Sequence, residues 1–227
     1  MINFNRRFWL PYRCLLERIG SGALGTIRTA SIELIVDGRQ WIRPPTVALQ
    51  DLGGHAVDFA IRLLGSSPVV VAATDVSASN FQGVSLTLQW PDGRAVKCRV
   101  GYGKAREAIS VKGSLGTLAM NNPHGRIWVV DSQTSFARFG ARAIDLLSML
   151  GYALRPARRL TRSSTYAALG AFLSCVRTGD APKPNLDDAI QIALLLAAAE
   201  ESLLSKSSVR LANFVPPRAH TRLADIA

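Results

Sequence analysis

Residues 84–100, VSLTLQWPDGRAVKCRV, decide the fold class. Val84, Leu86, Leu88 and Trp90 fall on one side of a period-two alternation, with Ser85, Thr87 and Gln89 on the other, which is the pattern of a half-buried strand. Pro91-Asp92-Gly93-Arg94 supplies a turn, since proline presets the first turn dihedral and glycine tolerates the positive φ a tight reversal needs. Ala95–Val100 then runs back as a second strand. Two strands joined by so short a turn pair antiparallel, because a parallel partner needs a crossover of a dozen residues or more.

The same pattern extends in both directions. Val69–Ala73, Ala108–Val111, Thr117–Met120 and Ile127–Val130 read as short strands, with Gly113-Ser114 as another turn, and residues 26–36 (TIRTASIELIV) as a longer one. Helical spacing appears over 10–20, 47–64, 135–154, 164–178 and 186–205, the last opened by Asn185-Leu186-Asp187, with an acid suited to the helix dipole. The expected fold is α+β: a largely antiparallel open meander with the helices on one face. The stripe Val84, Leu86, Leu88 and Trp90 is expected on the uncovered face, where an apolar patch marks a homo-oligomer interface. The alternative is that 135–162 folds over it.

Composition narrows the class. The chain has 227 residues, 48% hydrophobic and 19% charged, which excludes disorder and supplies a core without staples. Lys and Arg exceed Asp and Glu by 27 to 16, a net charge of +11. That excess favours an anionic partner. Nucleic acid is not expected, because no helix-turn-helix appears and no exposed aromatics interleave with the basic residues on a strand platform. Cys14, Cys98 and Cys175 are too scattered for a zinc site or a disulfide frame and read as free thiols in a reducing compartment. No metal site is expected. No apolar stretch approaches a membrane span and no secretory core follows the basic N-terminus, so the expected location is cytoplasmic.

Gly20-Ser21-Gly22-Ala23-Leu24-Gly25 spells the dinucleotide-binding pattern G-x-G-x-x-G. That pattern works only after a strand and at the opening of a helix, where helix amides meet the pyrophosphate. Here it follows a helix and precedes a strand, so it reads as a helix cap and turn.

Asn5-Arg6-Arg7-Phe8, Ile19 to Arg28, Asp51-Leu52-Gly53-Gly54-His55-Ala56-Val57-Asp58, Gly113-Ser114-Leu115-Gly116-Thr117-Leu118 and Gly179-Asp180-Ala181-Pro182 occur in an order that resembles the substrate domain of the Gfo/Idh/MocA oxidoreductases. The resemblance covers residues 3–211, and residues 1–211 are taken as one domain with a basic amphipathic insertion at 135–162, followed by a tail at 212–227. In that family a Rossmann domain precedes this segment and supplies the NAD or NADP site and a catalytic lysine in an E-K-P motif. Neither feature is in these residues, so no cofactor is expected to bind this chain alone, and a separate Rossmann-domain chain is a conceivable partner.

By spacing, Asp51, His55 and Asp58 share a helix face. A carboxylate beside an imidazole fixes its tautomer and suits proton transfer with a sugar hydroxyl, although such pairs also occur solvated or satisfied in a core. The resemblance implies His55 as the catalytic acid/base and Asp51 as its partner or a substrate ligand. Arg39, Trp41 and Arg43 could clamp a phosphate or a sugar ring, or form a solvated basic loop around one packed Trp. The basic helix within 135–162 could cover the sheet, bind a sugar-nucleotide diphosphate, or touch a membrane or protein surface, the packing role being favoured. Two functions follow. One is the substrate-binding and catalytic half of an NAD(P)-dependent sugar or sugar-nucleotide dehydrogenase, inactive by itself. The other is a stand-alone sugar-phosphate-binding or subunit-interaction module without catalysis.

Overall fold

The longest strand, β1 (Ile27–Asp37), runs through the middle of an eight-stranded sheet. The computed structural model describes residues 4–38, 44–121, 126–130 and 164–216. The other strands are β2 (Val70–Asp75), β3 (Gln82–Gln89), β4 (Ala95–Gly103), β5 (Arg106–Gly113), β6 (Thr117–Asn121), β7 (Arg126–Val130) and β8 (Val209–Arg210). Their order is β7-β6-β5-β1-β4-β3-β2-β8. The helices are α1 (Leu10–Gly20), α2 (Pro45–Ala48), α3 (Gly54–Leu64), α4 (Ser164–Thr178) and α5 (Leu186–Ser205), with a π-helical turn at Leu49–Gly53 between α2 and α3. Among the described residues no helix is long and apolar enough to cross a membrane.

The α+β class and the antiparallel pairing hold, with one departure from a simple meander. β1 lies between β4 and β5 and pairs parallel with β4, Ala30 opposite Val96 and Leu34 opposite Val100. The link Lys104-Ala105 therefore crosses the end of β1 instead of closing a hairpin. Two extended residues with their flanking bonds reach about 10 Å, two strand spacings, so a short link need not join neighbours.

The apolar stripe faces the helices, which corrects its expected place on the uncovered face. Val84, Leu86 and Leu88 are 0% exposed, and Trp90 is buried with its indole N–H donated to the Ser66 carbonyl at 3.0 Å. The register sets Val84 against Val100, Leu86 against Cys98 and Leu88 against Val96. All join one core with Leu49, Leu52, Val57, Phe59 and Leu63 from the α2–α3 segment and Ile192, Leu195, Ala198 and Ala199 from α5. Each such leucine contributes about 1.5–3 kcal/mol on burial, so a strand with one apolar side turns that side to the helices. The opposite face carries Ser85, Thr87 and Gln89 from β3, Lys97 and Arg99 from β4, and Arg106, Ser110 and Lys112 from β5. It is polar and basic.

Glycine and an aromatic ring shape one spot on that open face. Phe81 is buried there because it lies over Gly101 and Gly83; a Cβ on Gly101 would run into the Gln82 carbonyl and stand 2.6 Å from the ring. The Arg99 guanidinium lies over the ring, 4.1 Å from its centroid.

Local signals fix the helix ends. Asn185 caps α5 in a reciprocal box, its side chain accepting from the Asp188 amide at 3.1 Å while Asp188 accepts from the Asn185 amide at 2.8 Å. Gly65, at φ 73°, ends α3. α4 does not serve as a sheet cover like the other helices. It packs chiefly on a 3-10 turn at Asn5–Phe8, with the Asn5 side-chain amide donating to Thr165 Oγ1 at 3.3 Å.

Candidate active site

Asp51 and His55 reach the same pocket from different kinds of helix. Asp51 sits in the π-helical turn, His55 in the first turn of α3. Extra residues in a helical turn re-aim side chains and recur at functional sites. Tyr102, from β4, donates to Asp51 Oδ2 at 2.7 Å and holds that carboxylate toward the pocket. The pocket encloses about 360 Å3 and is lined by Asn5, Arg6, Trp9, Asp51, Leu52, His55 and Ser164.

The imidazole of His55 is held by packing. Phe4 meets it edge-on, ring centroids 6.2 Å apart, and its Nδ1 is buried without a hydrogen-bond partner. Burial, then the nearby Arg6 charge, lower its pKa below the ordinary histidine value, against the opposing pull of Asp51 and Glu107. The ring is therefore neutral at pH 7, able to accept a proton.

Arg6 enters from the 3-10 turn and pairs with Glu107 of β5, which also accepts from the Tyr12 hydroxyl at 2.8 Å. Burial and the Glu107 charge raise the Tyr12 pKa well above 10, so this phenol stays a donor. Arg7, beside Arg6, takes a different role. Its Nε lies 2.9 Å from both oxygens of Asp58, and Nη2 reaches Asp188 at 3.1 Å. Burial nevertheless raises the Asp58 pKa, with Arg7 offsetting part of the cost. Asp58 is thus a tether between the first turn, α3 and α5, and it does not line the pocket with Asp51 and His55, as helix spacing had suggested.

A larger recess of about 890 Å3 opens at the ends of β1, β4 and β5 and shares Arg6 with the smaller pocket. Among its charges, Glu33 lies 2.7 Å from Arg106 and 3.9 Å from Arg99. It contains no residue of the Asp51–His55 pair.

The structure brings the expected Asp51 and His55 to one pocket and adds Arg6, Trp9 and Ser164 to its lining, with Glu107 and Tyr102 as the partners of Arg6 and Asp51. Arg6 stood in a quoted motif, but its partner is 101 positions away and no local pattern joins them. Arg39, Trp41 and Arg43, and the insertion 135–162, lie outside the described residues. Burial pushes the Cys98 thiol up to about 12, which makes it inert.

The glycine-rich turn does not fit a dinucleotide. The amides of Ser21, Gly22, Ala23 and Gly25 bond to the carbonyls of Glu17, Ile19, Arg18 and Gly22. These amides close the C-terminal end of α1, where a pyrophosphate needs free amides at a helix start. A Cβ on Gly25 would strike the Ser114 hydroxyl, so that glycine serves close packing against the β5–β6 turn.

Comparison with known proteins agrees with this geometry. Residues 17–211 match the model for the oxidoreductase family C-terminal alpha/beta domain of the Gfo/Idh/MocA group. Inositol 2-dehydrogenase of Rhizobium meliloti (strain 1021) is 26% identical, over 93% of this chain and 65% of its own length. Among solved structures, a myo-inositol dehydrogenase from Corynebacterium glutamicum aligns with TM-score 0.65 and 18% identity, covering 93% of this chain and 64% of that one. The scyllo-inositol dehydrogenase from Lactobacillus casei, solved with NAD(H) and scyllo-inositol, aligns with TM-score 0.65 and 16% identity over the same shares. The chain thus spans just under two thirds of the length of these relatives. With the helix-backed sheet, the motif order and the Asp51–His55 pair placed as they are, the chain belongs to the Gfo/Idh/MocA oxidoreductase family and corresponds to its C-terminal α/β domain.

Proposed function

We propose that this chain is the substrate-binding and proton-transfer half of a dehydrogenase that acts on the CH–OH group of a neutral polyol, an inositol or a sugar. The observation that carries the reading is the half-buried, neutral His55 beside a tethered Asp51 in a pocket of about 360 Å3. That volume suits a six-carbon polyol, and the lining supplies hydroxyl partners (Asn5, Arg6, Asp51, Ser164) around one aromatic wall, Trp9. The inositol relatives support the substrate class.

His55 accepts the proton of the substrate hydroxyl, or returns it, and its lowered pKa keeps it competent below pH 6.5. Asp51, held by Tyr102, accepts hydrogen bonds from the ring hydroxyls and supports the imidazolium while it exists. Arg6, neutralised by Glu107, offers its remaining N–H groups without making the pocket an anion trap. The acceptor of the two electrons, a nicotinamide dinucleotide by kinship, belongs to a domain outside these residues, because the glycine turn here cannot cradle it. A non-catalytic sugar-binding module is the second reading, favoured by that same misfit.

Titrating the full chain with myo-inositol and following the histidine ring signals by NMR tests the site. The signal lost in His55→Asn should be the one that moves, together with the Leu52 amide. Movement confined to other residues, or none at about 100-fold the protein concentration, rejects the pocket.

A further inference from the structure

We propose that Glu107 decides the charge class of the substrate: by engaging Arg6 from behind, it reserves the His55 pocket for neutral polyols and keeps out those that carry a carboxylate or a phosphate. The proposal rests on the reading that this pocket takes a polyol. It adds the residue that selects among polyols.

The chain as a whole carries a net charge of +11, which draws anions to its surface. Among the described residues that line the pocket, Arg6 is the one cation, since the His55 ring is neutral at pH 7. Arginine is also the side chain best shaped for a carboxylate or a phosphate, through its planar fork of N–H groups. A guanidinium without a counter-charge at this place would favour anionic polyols. The neighbouring Arg7 does not take that part, because Asp58 and Asp188 engage it.

Glu107 answers Arg6 from outside the pocket. It lines the larger recess on the other side of Arg6, and it is buried, 8% exposed. Its Oε1 accepts from Arg6 Nη1 and from the hydroxyl of the buried Tyr12. Hydrogen bonding alone does not call for a carboxylate here. An amide oxygen would accept from both donors without the cost of burying a charge. What the carboxylate adds is a negative charge against the guanidinium. The pair then sums to zero, and among the described lining residues Asp51 remains as the charge that meets a ligand. That charge repels an incoming anion, while neutral hydroxyls still find partners at Asn5, Arg6, Asp51 and Ser164. Glu107 acts through Arg6 and is a positioning residue of the site.

D-Glucose and D-glucuronate differ only at C6, a CH2OH against a carboxylate, and form the probe pair. Their dissociation constants are read from the His55 ring signals of the full chain by NMR at pH 7.5. The native chain should prefer glucose. In Glu107→Gln, which keeps the shape and an acceptor for Tyr12, the affinity for glucuronate relative to glucose should rise about tenfold or more, because the guanidinium then meets the ligand without its counter-charge. Adding Arg6→Gln should cancel that gain, whereas a purely structural Glu107 would weaken both probes alike with no dependence on Arg6. A glutamine variant without a cooperative unfolding transition is replaced by Glu107→Ala, in which water from the recess reaches Tyr12 and Arg6. Loss of folding in both variants overturns the proposal, since Glu107 then serves the fold. So does an unchanged ratio, or a native chain that already binds glucuronate as tightly as the variant. A gain for glucuronate in a protein whose native form ignores glucose and myo-inositol keeps Glu107 as the guard against anions and rejects the neutral-polyol reading. Binding of myo-inositol without the gain does the reverse.

Discussion

Two surfaces of this molecule exchange the roles their sequences suggest. The open face of the sheet, expected to be apolar and sticky, presents Ser85, Thr87, Lys97, Arg99, Arg106 and Lys112. The outer face of α4, expected to cover a core, presents Tyr166, Leu169, Leu173 and Val176 to solvent. The difference is one of periodicity. A period-two stripe shows that one side of a strand is buried, and it leaves open what buries it. A helix with small residues on one side and large ones on the other shows two contacts, and only the packing shows which one is made within the chain.

The severest challenge to this comparison is Leu86→Lys. An ammonium buried under α3 and α5 loses the leucine's transfer free energy and adds an unpaired charge, more than about 5 kcal/mol together, which leaves no cooperative unfolding transition by circular dichroism. Thr87→Lys, one residue on, changes stability by less than about 0.5 kcal/mol. A Leu86→Lys protein that stays folded and merely dissociates would restore the sheet face as an interface.

Next in size is Arg7→Met, which strands the buried Asp58 carboxylate at a cost of about 3–5 kcal/mol at pH 7 in urea unfolding. Asp58 already has a raised pKa, and losing Arg7 raises it further. A carboxyl whose folded pKa exceeds its unfolded value destabilises the fold above that pKa, so the deficit should shrink as the pH falls and Asp58 takes up a proton. A deficit that grows on acidification would contradict this account.

The helix offers a finer comparison. Ala168→Leu overpacks the contact with the Asn5–Phe8 turn and should cost about 1–3 kcal/mol, whereas Leu169→Lys should cost at most about 0.5 kcal/mol. Equal losses would mean that the outer stripe is already covered.

The smallest effect is on pH dependence. Because the pKa of His55 is lowered in the fold, the unfolded chain binds its proton first as the pH drops through 6.5, and the native state loses stability until the folded-state value is passed. His55→Gln removes this loss. Urea midpoints at pH 7.5 and 5.5 should therefore show the native protein falling relative to the variant, and a rise would show that His55 is held charged.

The strands were legible because alternation and turn residues are local. Val84–Trp90 and Ala95–Val100 appear as Gln82–Gln89 and Ala95–Gly103. The place of β1 was not, since a two-residue link can close a hairpin or step across an intervening strand. In the site, Asp51 and His55 were visible as neighbours on one helix. Asp58 looked equivalent, and burial against Arg7 gave it another task. Arg6 and Glu107 meet only because β5 and the first turn converge.

By itself the sequence determined most of the described strands and helices, which side of each strand is apolar, and that the glycine run ends a helix instead of opening one, because dihedral preference and periodicity act within a few residues. The tertiary structure alone decided the insertion of β1, the side of the sheet the helices cover, the pairing of Arg6 with Glu107 and the bareness of α4. Those outcomes depend on which distant surfaces find each other, and that is settled by the burial of the whole core.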